Sequence, residues 1–363
     1  MKIAVDFQSV EGRKTGIGVA AQNLLEAISK EDPSIEFLYY KKNSLKDLNT
    51  PSRIFWESVS IPMRAFRDKP DFIYSPGFAP AFFAPCPRVV TVHDLIGMIY
   101  PENLPPAARF YWSTWLPFCV RHAKIVTASS ESTKKDIVRF LKIDPLRIRV
   151  VPLAAADSFH KEDDESKLEP LRRRFSLQKP FFLTVGTLEP RKNIPNLLRA
   201  FEIFKRNTDG RADLLLAGKA GGEQDKIKAV IRELKLERDV RLLGYVADEE
   251  LCSLYSASLG YVFVSSYEGF GLPALEAMRC GKSGVLSRVS SLPEVASDTA
   301  LYADPASVKD IAEKLLLFYE DRVLRDRLSE AAYRRSAEFS WKKSAQMMIE
   351  IFKSSVYNRL DEK

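Results

Sequence analysis

Histidine and cysteine are both scarce in this chain of 363 residues, which contains three histidines and four cysteines. The cysteines show neither Cys-x-x-Cys spacing nor another spacing typical of metal ligands, so we expect free thiols, a reducing compartment and no zinc site. Three histidines are too few for a histidine-rich metal centre. The cysteines are Cys86, Cys119, Cys252 and Cys280.

Long apolar runs are absent as well. No stretch reaches the roughly 20 apolar residues that a membrane-spanning helix needs, and the N-terminus enters a strand-like segment without a secretory leader. We therefore expect a cytoplasmic protein, with peripheral attachment at the inner face of the plasma membrane as the alternative.

The balance of charge is basic but not concentrated. The 55 basic and 48 acidic residues give a net charge of +7, which is compatible with a polyanionic ligand, an anionic lipid surface or nucleic acid. The densest basic group is the three arginines at 172–174, which we expect to face solvent. Because there is no longer Lys/Arg block, we do not expect nucleic acid as a partner.

Strand-like runs alternate with helical patterns, which indicates an α/β fold with parallel sheets. The runs are 2–7, 36–40, 72–74, 88–92, 124–128 and 149–151, then 181–186, 212–218, 240–245, 259–264 and 284–286. Residues 159–178 are charged and lack a strand pattern, so we interpret them as a linker between domains at 1–158 and 179–340. A last amphipathic stretch, 341–363, is long enough to cross back to the first domain.

The most informative stretch follows the apolar run 259–264. Gly269 and Gly271 permit a sharp turn, Pro273 suits the first turn of a helix, and Gly281 suits its end. In a parallel sheet, ligands bind at the carboxyl ends of strands, where helix N-termini offer N–H groups to anions. This segment therefore predicts a binding site for an anionic ligand.

Two glutamates flank that predicted site. Glu268 lies in the turn, and we expect Glu276 within the first helical turn. A carboxylate can accept hydrogen bonds from two neighbouring hydroxyls, so each residue could hold a sugar diol. The alternative for Glu276 is an acid that only stabilises the positive end of the helix.

A second loop carries two adjacent cations, Arg191 and Lys192, after the strand 181–186. They precede a predicted helix that Asn193 could cap, and cations are unfavourable at a helix N-terminus unless an anion lies between them. The loop therefore predicts an anion site, the alternative being a solvated basic loop.

The first domain offers weaker signals. The glycine-rich segment 15–18, which includes Gly16, follows the first strand and could hold a phosphate, but packing alone could also explain its glycines. His93 ends a predicted strand and could contact a ligand, or it could be a core or capping histidine.

Two segments combine aromatic and basic residues. Residues 54–66, with basic residues on either side, predict an amphipathic helix that could dock on an anionic membrane. Residues 109–119 repeat aromatics at helical spacing, which is more typical of a buried core.

Five short motifs occur together: Thr-Gly-Ile-Gly at 15–18, Val-His-Asp at 92–94, Glu-Pro-Arg-Lys-Asn at 189–193, Ser-Tyr-Glu-Gly-Phe-Gly-Leu-Pro at 266–273 with Glu276 beyond it, and Ser-Ser-Leu-Pro-Glu-Val at 290–295. This set resembles the retaining GT-B glycosyltransferases of the glycogen-synthase-like "glycosyl transferases group 1" superfamily. Within it, the chain looks most like bacterial mannosyltransferases of surface-polysaccharide assembly.

The resemblance implies two facing Rossmann-like domains, a C-terminal helix that crosses back to the first, and a nucleotide sugar held mainly by the second. Arg191 and Lys192 would neutralise the donor diphosphate, which implies that neither a metal nor a cofactor is needed. Glu276 would bind the nucleotide ribose. Glu268 would hold hydroxyls of the donor sugar.

The remaining implied contacts lie around these residues. They are backbone support for the sugar from Gly269, Phe270, Gly271 and Leu272, a close approach of the first-domain loop to the phosphates at Gly16, and His93 on the sugar side of the cleft. The chain departs from the usual pattern at 279–283, where Arg-Cys-Gly-Lys-Ser replaces a small residue and then Cys-Gly-Thr-Pro, and at 153–157. We expect the first departure to alter helix packing or to add charge near the nucleotide.

We therefore predict retaining transfer of a hexose, in particular mannose from GDP-mannose, to a hydroxyl of a lipid-linked or oligosaccharide acceptor. The candidate acceptor regions are 78–83 and 96–106. One alternative is a sugar-nucleotide epimerase or hydrolase on the same two-domain plan. Another is a nonenzymatic protein that binds an anionic surface.

Overall fold

A computed structural model gives the fold of the chain and describes residues 1–9, 16–42, 48–77 and 79–357. The chain forms two compact units: Met1–Ala154 together with Phe339–Lys363, and Ala155–Glu338. Thr15 and Phe78, which lie in candidate ligand-binding segments, are outside the described residues.

The first unit contains a parallel sheet in the order β2-β1-β3-β4-β5-β6. Its strands are β1 Lys2–Asp6, β2 Glu36–Tyr40, β3 Phe72–Ser75, β4 Arg88–Val92, β5 Ile125–Ala128 and β6 Ile148–Val150. Its helices up to β6 are α1 Gly16–Glu31, α2 Thr50–Phe55, α3 Ile61–Asp68, α4 Ile96–Ile99, α5 Pro106–Phe110, α6 Leu116–Arg121 and α7 Glu131–Asp136.

Three π-helical turns lengthen these helices. Trp56–Ser60 joins α2 to α3, Tyr111–Trp115 joins α5 to α6, and Ile137–Leu141 extends α7. Residues 50–68 are thus helical throughout, which includes the predicted helix at 54–66, but only one face is available for docking. Trp56 is buried, whereas Phe55, Met63 and Phe66 are exposed.

The second unit contains another parallel sheet, in the order β12-β11-β10-β7-β8-β9. Its strands are β7 Phe181–Val185, β8 Asp213–Ala217, β9 Val240–Gly244, β10 Gly260–Phe263, β11 Gly284–Ser287 and β12 Leu301–Ala303. Its helices are α8 Glu165–Arg174, α9 Ile194–Asn207, α10 Gln224–Glu233, α11 Asp248–Ala257, α12 Leu272–Arg279, α13 Leu292–Ala296, α14 Val308–Glu320 and α15 Arg322–Ser336.

The predicted α/β class and parallel sheets are confirmed, and every predicted strand is present. The edge strand β12 was missed because its three residues, Leu-Tyr-Ala, form too short a run to stand out. The stretch interpreted as a linker contains α8, whose Leu168 and Leu171 are buried and which packs on α11. Its many charges lie mainly on the solvent face, which hid the apolar positions from a reading of composition.

The last helix, α16 (Trp341–Tyr357), belongs to the first unit. It packs on α1, and the ring of Phe352 lies 4.8 Å from that of Phe72 and 5.4 Å from that of Tyr74, centroid to centroid. Because Phe352 is fully buried, the C-terminal helix supplies part of the core of the first unit, as the amphipathic pattern predicts.

Replacing Phe352 with Ala should therefore destabilise the first unit by about 3 to 5 kcal/mol, the usual cost of removing a buried aromatic ring. Hydrogen exchange should accelerate in β1 and β3 while β7 and β10 keep their protection. Met347→Ala, on the exposed side of the same helix, serves as the control and should change stability little. Equal acceleration in both sheets would contradict this assignment.

Candidate functional site

The candidate site lies at the carboxyl edge of the second sheet. β7 and β10 are neighbours, with Tyr261 opposite Leu183, so the segments that follow them leave the sheet side by side. The first reaches a 3-10 turn at Pro190–Lys192, and the second reaches Glu268. The strand order thus brings together residues that are 76 positions apart in the chain.

Glu268 is the centre of this site, because both of its carboxylate oxygens accept hydrogen bonds from basic side chains. Lys192 Nζ lies 2.6 Å from Oε1, and Arg191 Nη1 lies 2.7 Å from Oε2. The hydroxyl of Ser265 donates to Oε1 at 2.7 Å. Arg191 Nε also lies 3.1 Å from a carboxylate oxygen of Glu189.

The ionic cluster around Glu268 is buried. Lys192 is 7% exposed and Glu268 is 8% exposed, so Lys192 does not belong to a solvated basic loop. Burial opposes ionisation of Glu268, but the charges of Lys192 and Arg191 outweigh it and lower the pKa of Glu268 to about 2. The anion that we expected between Arg191 and Lys192 is therefore the carboxylate of Glu268, which belongs to the chain itself.

The backbone of Glu268 is held by the loop after β11. Its N–H donates to Ser290 Oγ at 2.8 Å, and Ser291 Oγ donates to its carbonyl oxygen at 2.9 Å. Gly271 has φ +95°, and a Cβ there would lie 2.8 Å from Cδ2 of Leu292. Sequence reasoning assigned no role to these two serines; their place in the Ser-Ser-Leu-Pro-Glu-Val motif was the available signal.

Close packing under Lys192 explains one glycine of the first loop. Gly186 has φ +144°, and a Cβ there would lie 2.9 Å from Lys192 Cε. Asn193 precedes α9, but the prediction that its side chain caps this helix is wrong. Its amide instead donates to the carbonyl oxygens of Val264, at 3.1 Å, and Pro305, at 2.8 Å. The amide N–H group of Asn193 donates to these two carbonyl oxygens, whereas a capping side chain must accept a hydrogen bond from a backbone N–H of the helix.

Glu276 lies in the second turn of α12, not in the first as predicted, because the helix begins only at Leu272. The residue is half-buried, and its carboxyl group has no hydrogen-bond or ion-pair partner among the residues that the structure describes. Burial, reinforced by the charge of Asp248, raises the pKa of Glu276 to about 8, although Lys192 opposes the shift. Because Glu276 lies beyond the first turn, it is less suited to stabilise the positive end of the helix. Its carboxyl group is therefore available to a ligand.

In the first unit, His93 follows β4. Its Nε2 lies 2.8 Å from the carbonyl oxygen of Pro76, which can only accept, so Nε2 carries the hydrogen. Burial lowers the pKa of His93, and the neutral ring leaves Nδ1 as a buried acceptor without a partner in the described chain. The structure therefore does not show a fully hydrogen-bonded core histidine, and Nδ1 is left available to a ligand.

The other first-unit candidate is Gly16, the first residue of α1. It is exposed, and a Cβ there would meet no atom within 4 Å, so nothing in its own packing requires glycine. The neighbouring Ile17 lies near Gly77, since a Cβ on Gly77 would lie 2.6 Å from Cγ2 of Ile17 and 3.7 Å from Cδ2 of His93. The start of α1 and His93 thus share one edge of the first sheet.

Within the described ranges, no group of three or more His, Cys, Asp or Glu side chains is arranged to hold a metal ion. The same ranges contain no helix that is long and apolar enough to cross a membrane. The four cysteines are free and buried.

Family models match most of the chain. The model described as "Glycosyl transferases group 1" matches residues 169–335, and "Glycosyltransferase Family 4" matches residues 24–155. The first covers the Glu268 cluster and Glu276, and the second covers His93.

Curated relatives agree with these matches. The O-antigen chain mannosyltransferase B of Escherichia coli is 34% identical over 292 residues, covering 80% of this chain and 76% of that protein. The serotype-specific mannosyltransferase WbdA of Escherichia coli is 31% identical over 279 residues, which are 75% of this chain and 34% of that longer protein.

Solved structures share the fold. A sucrose-phosphate synthase from Thermosynechococcus elongatus superposes with a TM-score of 0.78 at 19% identity, covering 97% of this chain and 98% of that one. Anabaena HepE in complex with UDP and glucose gives a TM-score of 0.75 at 19% identity, with coverage of 98% and 100%. The two parallel sheets are therefore those of the GT-B architecture, as the motifs implied.

Replacing Glu268 with Gln should destabilise the protein most at neutral pH and least near pH 2. Folding lowers the pKa of this carboxyl from 4.5 to about 2, so its ionic contribution is complete above pH 5 and is lost as the pH falls toward 2. We expect a wild-type advantage of about 3 kcal/mol at pH 7 that shrinks over this range.

Denaturant unfolding at a series of pH values measures this difference, in which carboxyl groups common to both proteins cancel. Glu189→Gln is the matched control: its side chain is 44% exposed, so its loss should cost no more than about 1 kcal/mol. A gap between wild type and Glu268→Gln that does not change with pH would refute the ionic role.

Proposed function

The chain belongs to the glycosyl transferases group 1 family, and from that premise we propose that it transfers mannose from GDP-mannose to a hydroxyl of a lipid-linked or oligosaccharide acceptor, with retention of the anomeric configuration. It is a glycosyltransferase of polysaccharide biosynthesis, as the O-antigen relatives indicate. The observation that carries the proposed chemistry is the pair of cations on Glu268, at the edge of the second sheet where ligands bind in parallel α/β folds.

Arg191 and Lys192 would receive the donor diphosphate. Arg191 is paired with two carboxylates, and of these Glu189 is the more exposed and so the more easily exchanged. A diphosphate could replace Glu189 while Glu268 keeps the guanidinium oriented. Fixed positive charge of this kind stabilises a departing diphosphate without a divalent ion, so we propose metal-independent transfer without a cofactor.

The two glutamates would then have different tasks. Glu276, whose carboxyl group lacks a described partner, would bind the ribose hydroxyls. Glu268 accepts three hydrogen bonds from the chain, which leaves capacity for about one more of the four a carboxylate accepts. It would hold a single sugar hydroxyl, with the backbone of Gly269, Phe270, Gly271 and Leu272 beside it.

For the first unit we propose that His93 faces the donor sugar and that Gly16 allows the loop before α1 to approach the phosphates. The neutral ring of His93 offers Nδ1 as an acceptor for a sugar hydroxyl, because Nε2 is already used as a donor to Pro76. Retention would follow from same-face attack, in which an oxygen of the departing diphosphate assists deprotonation of the acceptor hydroxyl.

We also propose peripheral contact with an anionic membrane at the cytoplasmic side. Phe55, Val59, Met63 and Phe66 recur every three or four residues along 50–68 and are 57%, 37%, 68% and 55% exposed. Phe110, which is 52% exposed on α5, a helix that packs against α2, would add to this apolar strip. Arginines at 64 and 67 on the same segment would add attraction to anionic lipids.

The donor prediction is that GDP and GDP-mannose raise the melting temperature in the presence of EDTA, whereas UDP, ADP and dTDP do so much less. A ligand at 100 times its dissociation constant stabilises by about 2.7 kcal/mol, which corresponds to several degrees. Arg191→Ala should abolish the shift and should lower turnover by at least about 100-fold. The anomeric configuration of the product, read by NMR in the same assay, tests retention.

The matched control is Arg199→Ala, which removes an exposed arginine from α9 and should leave both readouts unchanged. A normal shift and normal turnover in Arg191→Ala would eliminate its role at the diphosphate. A preference for another nucleotide would overturn GDP-mannose but not the site.

The membrane prediction is tested with vesicles of phosphatidylcholine and phosphatidylglycerol. The double variant Met63→Ser and Phe66→Ser should bind them at least tenfold more weakly, because each side chain contributes about 1.5 to 3 kcal/mol when buried in an apolar phase. Leu146→Ser removes another apolar side chain of the first unit, 78% exposed, and should have no effect. Equal binding by both variants would rule out this strip as the contact.

A further inference from the structure

Lys282 lies in the segment where the chain departs from the family pattern, and the end of α12 fixes its position. Gly281, with φ +75°, donates its N–H to the carbonyl oxygen of Met278, and the N–H of Lys282 donates to that of Ala277, both at 3.0 Å. These two bonds form a Schellman motif, which ends the helix.

That position corrects the expectation that Lys282 adds charge near the nucleotide. Lys282 precedes β11, which begins at Gly284, and it lies beside Ser258 and Leu259, which precede β10. In a parallel sheet these amino ends form the edge opposite to the one that carries Glu268. Lys282 therefore serves a different part of the second unit.

A cavity of about 430 Å³ opens at this amino edge. One wall is a single face of α15, because its lining residues on that helix fall at i, i+3, i+4, i+7, i+8 and i+11. The lining residues of α15 are Arg322, Arg325, Asp326, Ser329, Glu330 and Tyr333. Lys161, Gly281 and Lys282 line the other side, and the stem of Lys161 lies across Gly281, whose added Cβ would be 3.2 Å from Lys161 Cγ and Cδ.

Positive charge predominates in this cavity, and each of the nearby acids already has a basic partner. Asp326 Oδ2 lies 3.4 Å from Arg322 Nε, and Glu330 Oε1 lies 2.9 Å from Arg334 Nε. Asp163 Oδ2 lies 3.3 Å from Lys161 Nζ on an open surface. Four cations and two carboxylates line the cavity, so it has a formal excess of two positive charges.

Lys282 has no counterion. Among the described residues no carboxylate lies within ion-pair distance of its ammonium group and no hydrogen-bond acceptor is assigned to it. Burial, and then the charges of Arg325 and Lys161, lower the pKa of Lys282, although the charges of Asp326 and Asp163 oppose the shift. A partly buried cation among other cations is unfavourable unless an anion joins them.

A purely structural role explains Arg325 but not Lys282. Arg325 Nη1 donates to the carbonyl oxygens of Phe318, at 3.0 Å, and Tyr319, at 2.8 Å, and so satisfies the end of α14. The side chain of Lys282 makes no such contact with a helix end in the described chain. Its position in the cavity wall is the feature that a structural role leaves unexplained.

We propose that this cavity is a second anion site, in which Lys282, Arg325 and Lys161 bind a phosphate group of a small phosphorylated ligand, with Ser329 and Tyr333 available to its polar remainder. The volume suits a small molecule, since ligand cavities usually measure about 300 to 1,000 Å³. The site is separate from Arg191 and Glu268, so it does not depend on the proposed donor chemistry.

The test uses inorganic pyrophosphate as the probe, measured by calorimetry on the full chain with GDP present in excess to occupy the first site. We expect binding by the wild type and at least about tenfold weaker binding by Lys282→Gln, the usual effect of losing one charge-assisted contact to phosphate. Lys282→Arg, which keeps the charge, should bind more strongly than Lys282→Gln. Lys228→Gln removes an exposed lysine from α10 and should bind like the wild type.

Further measurements distinguish the second site from the first, and a free phosphorylated ligand from a lipid headgroup. Arg191→Ala should retain pyrophosphate binding, which shows that the second site survives even where the first has failed. If only phosphatidylglycerol vesicles respond, and Lys282→Gln loses that response, then the phosphate belongs to a lipid headgroup. Binding that is equal in Lys282→Gln and wild type at equal melting temperature, or the absence of any response to either probe, would overturn the proposal.

Discussion

The ion pair between Glu268 and Lys192 is the interaction on which the second unit's site depends. It joins the loop after β7 to the loop after β10, and Arg191 reinforces it on the other carboxylate oxygen. Each loop also contains a glycine with positive φ: Gly186 lies against Lys192 of its own loop, and Gly271 lies against Leu292 of α13. A buried pair costs desolvation, so its value here lies in fixing two cations at one edge of the sheet.

That arrangement also explains why the cations can serve a ligand although they are already paired. Glu268 is largely buried and yet stays ionised, so it orients both Arg191 and Lys192. Glu189 is the half-exposed partner that a more highly charged anion could replace. The site thus combines two counterions. Glu268 is fixed and holds both cations in position, whereas Glu189 is half-exposed and would be replaced by the proposed diphosphate.

The sequence predicted the local features well and the distant partners poorly. Strands, the end of α12 at Gly281 and the helix start near Pro273 follow from short-range patterns, and the structure has them. That Ser290 would orient Glu268, or that Asn193 would bond to Pro305, depends on which loops the strand order brings together, and no local pattern records that order. The motifs located the candidate site, but not the internal counterion.

The two ends of the second sheet show that charge must be interpreted together with topology. Arg191 and Lys282 both follow a glycine-containing turn, and in the sequence either could be assigned to the nucleotide. Only strand polarity separates them, because Arg191 follows the carboxyl end of β7 whereas Lys282 precedes the amino end of β11. At the first edge a buried glutamate balances the cations; at the second, the carboxylates are paired with other arginines. An edge with its own counterion can be assembled before a ligand arrives, whereas an edge without one gains most from an anion that comes from outside the chain.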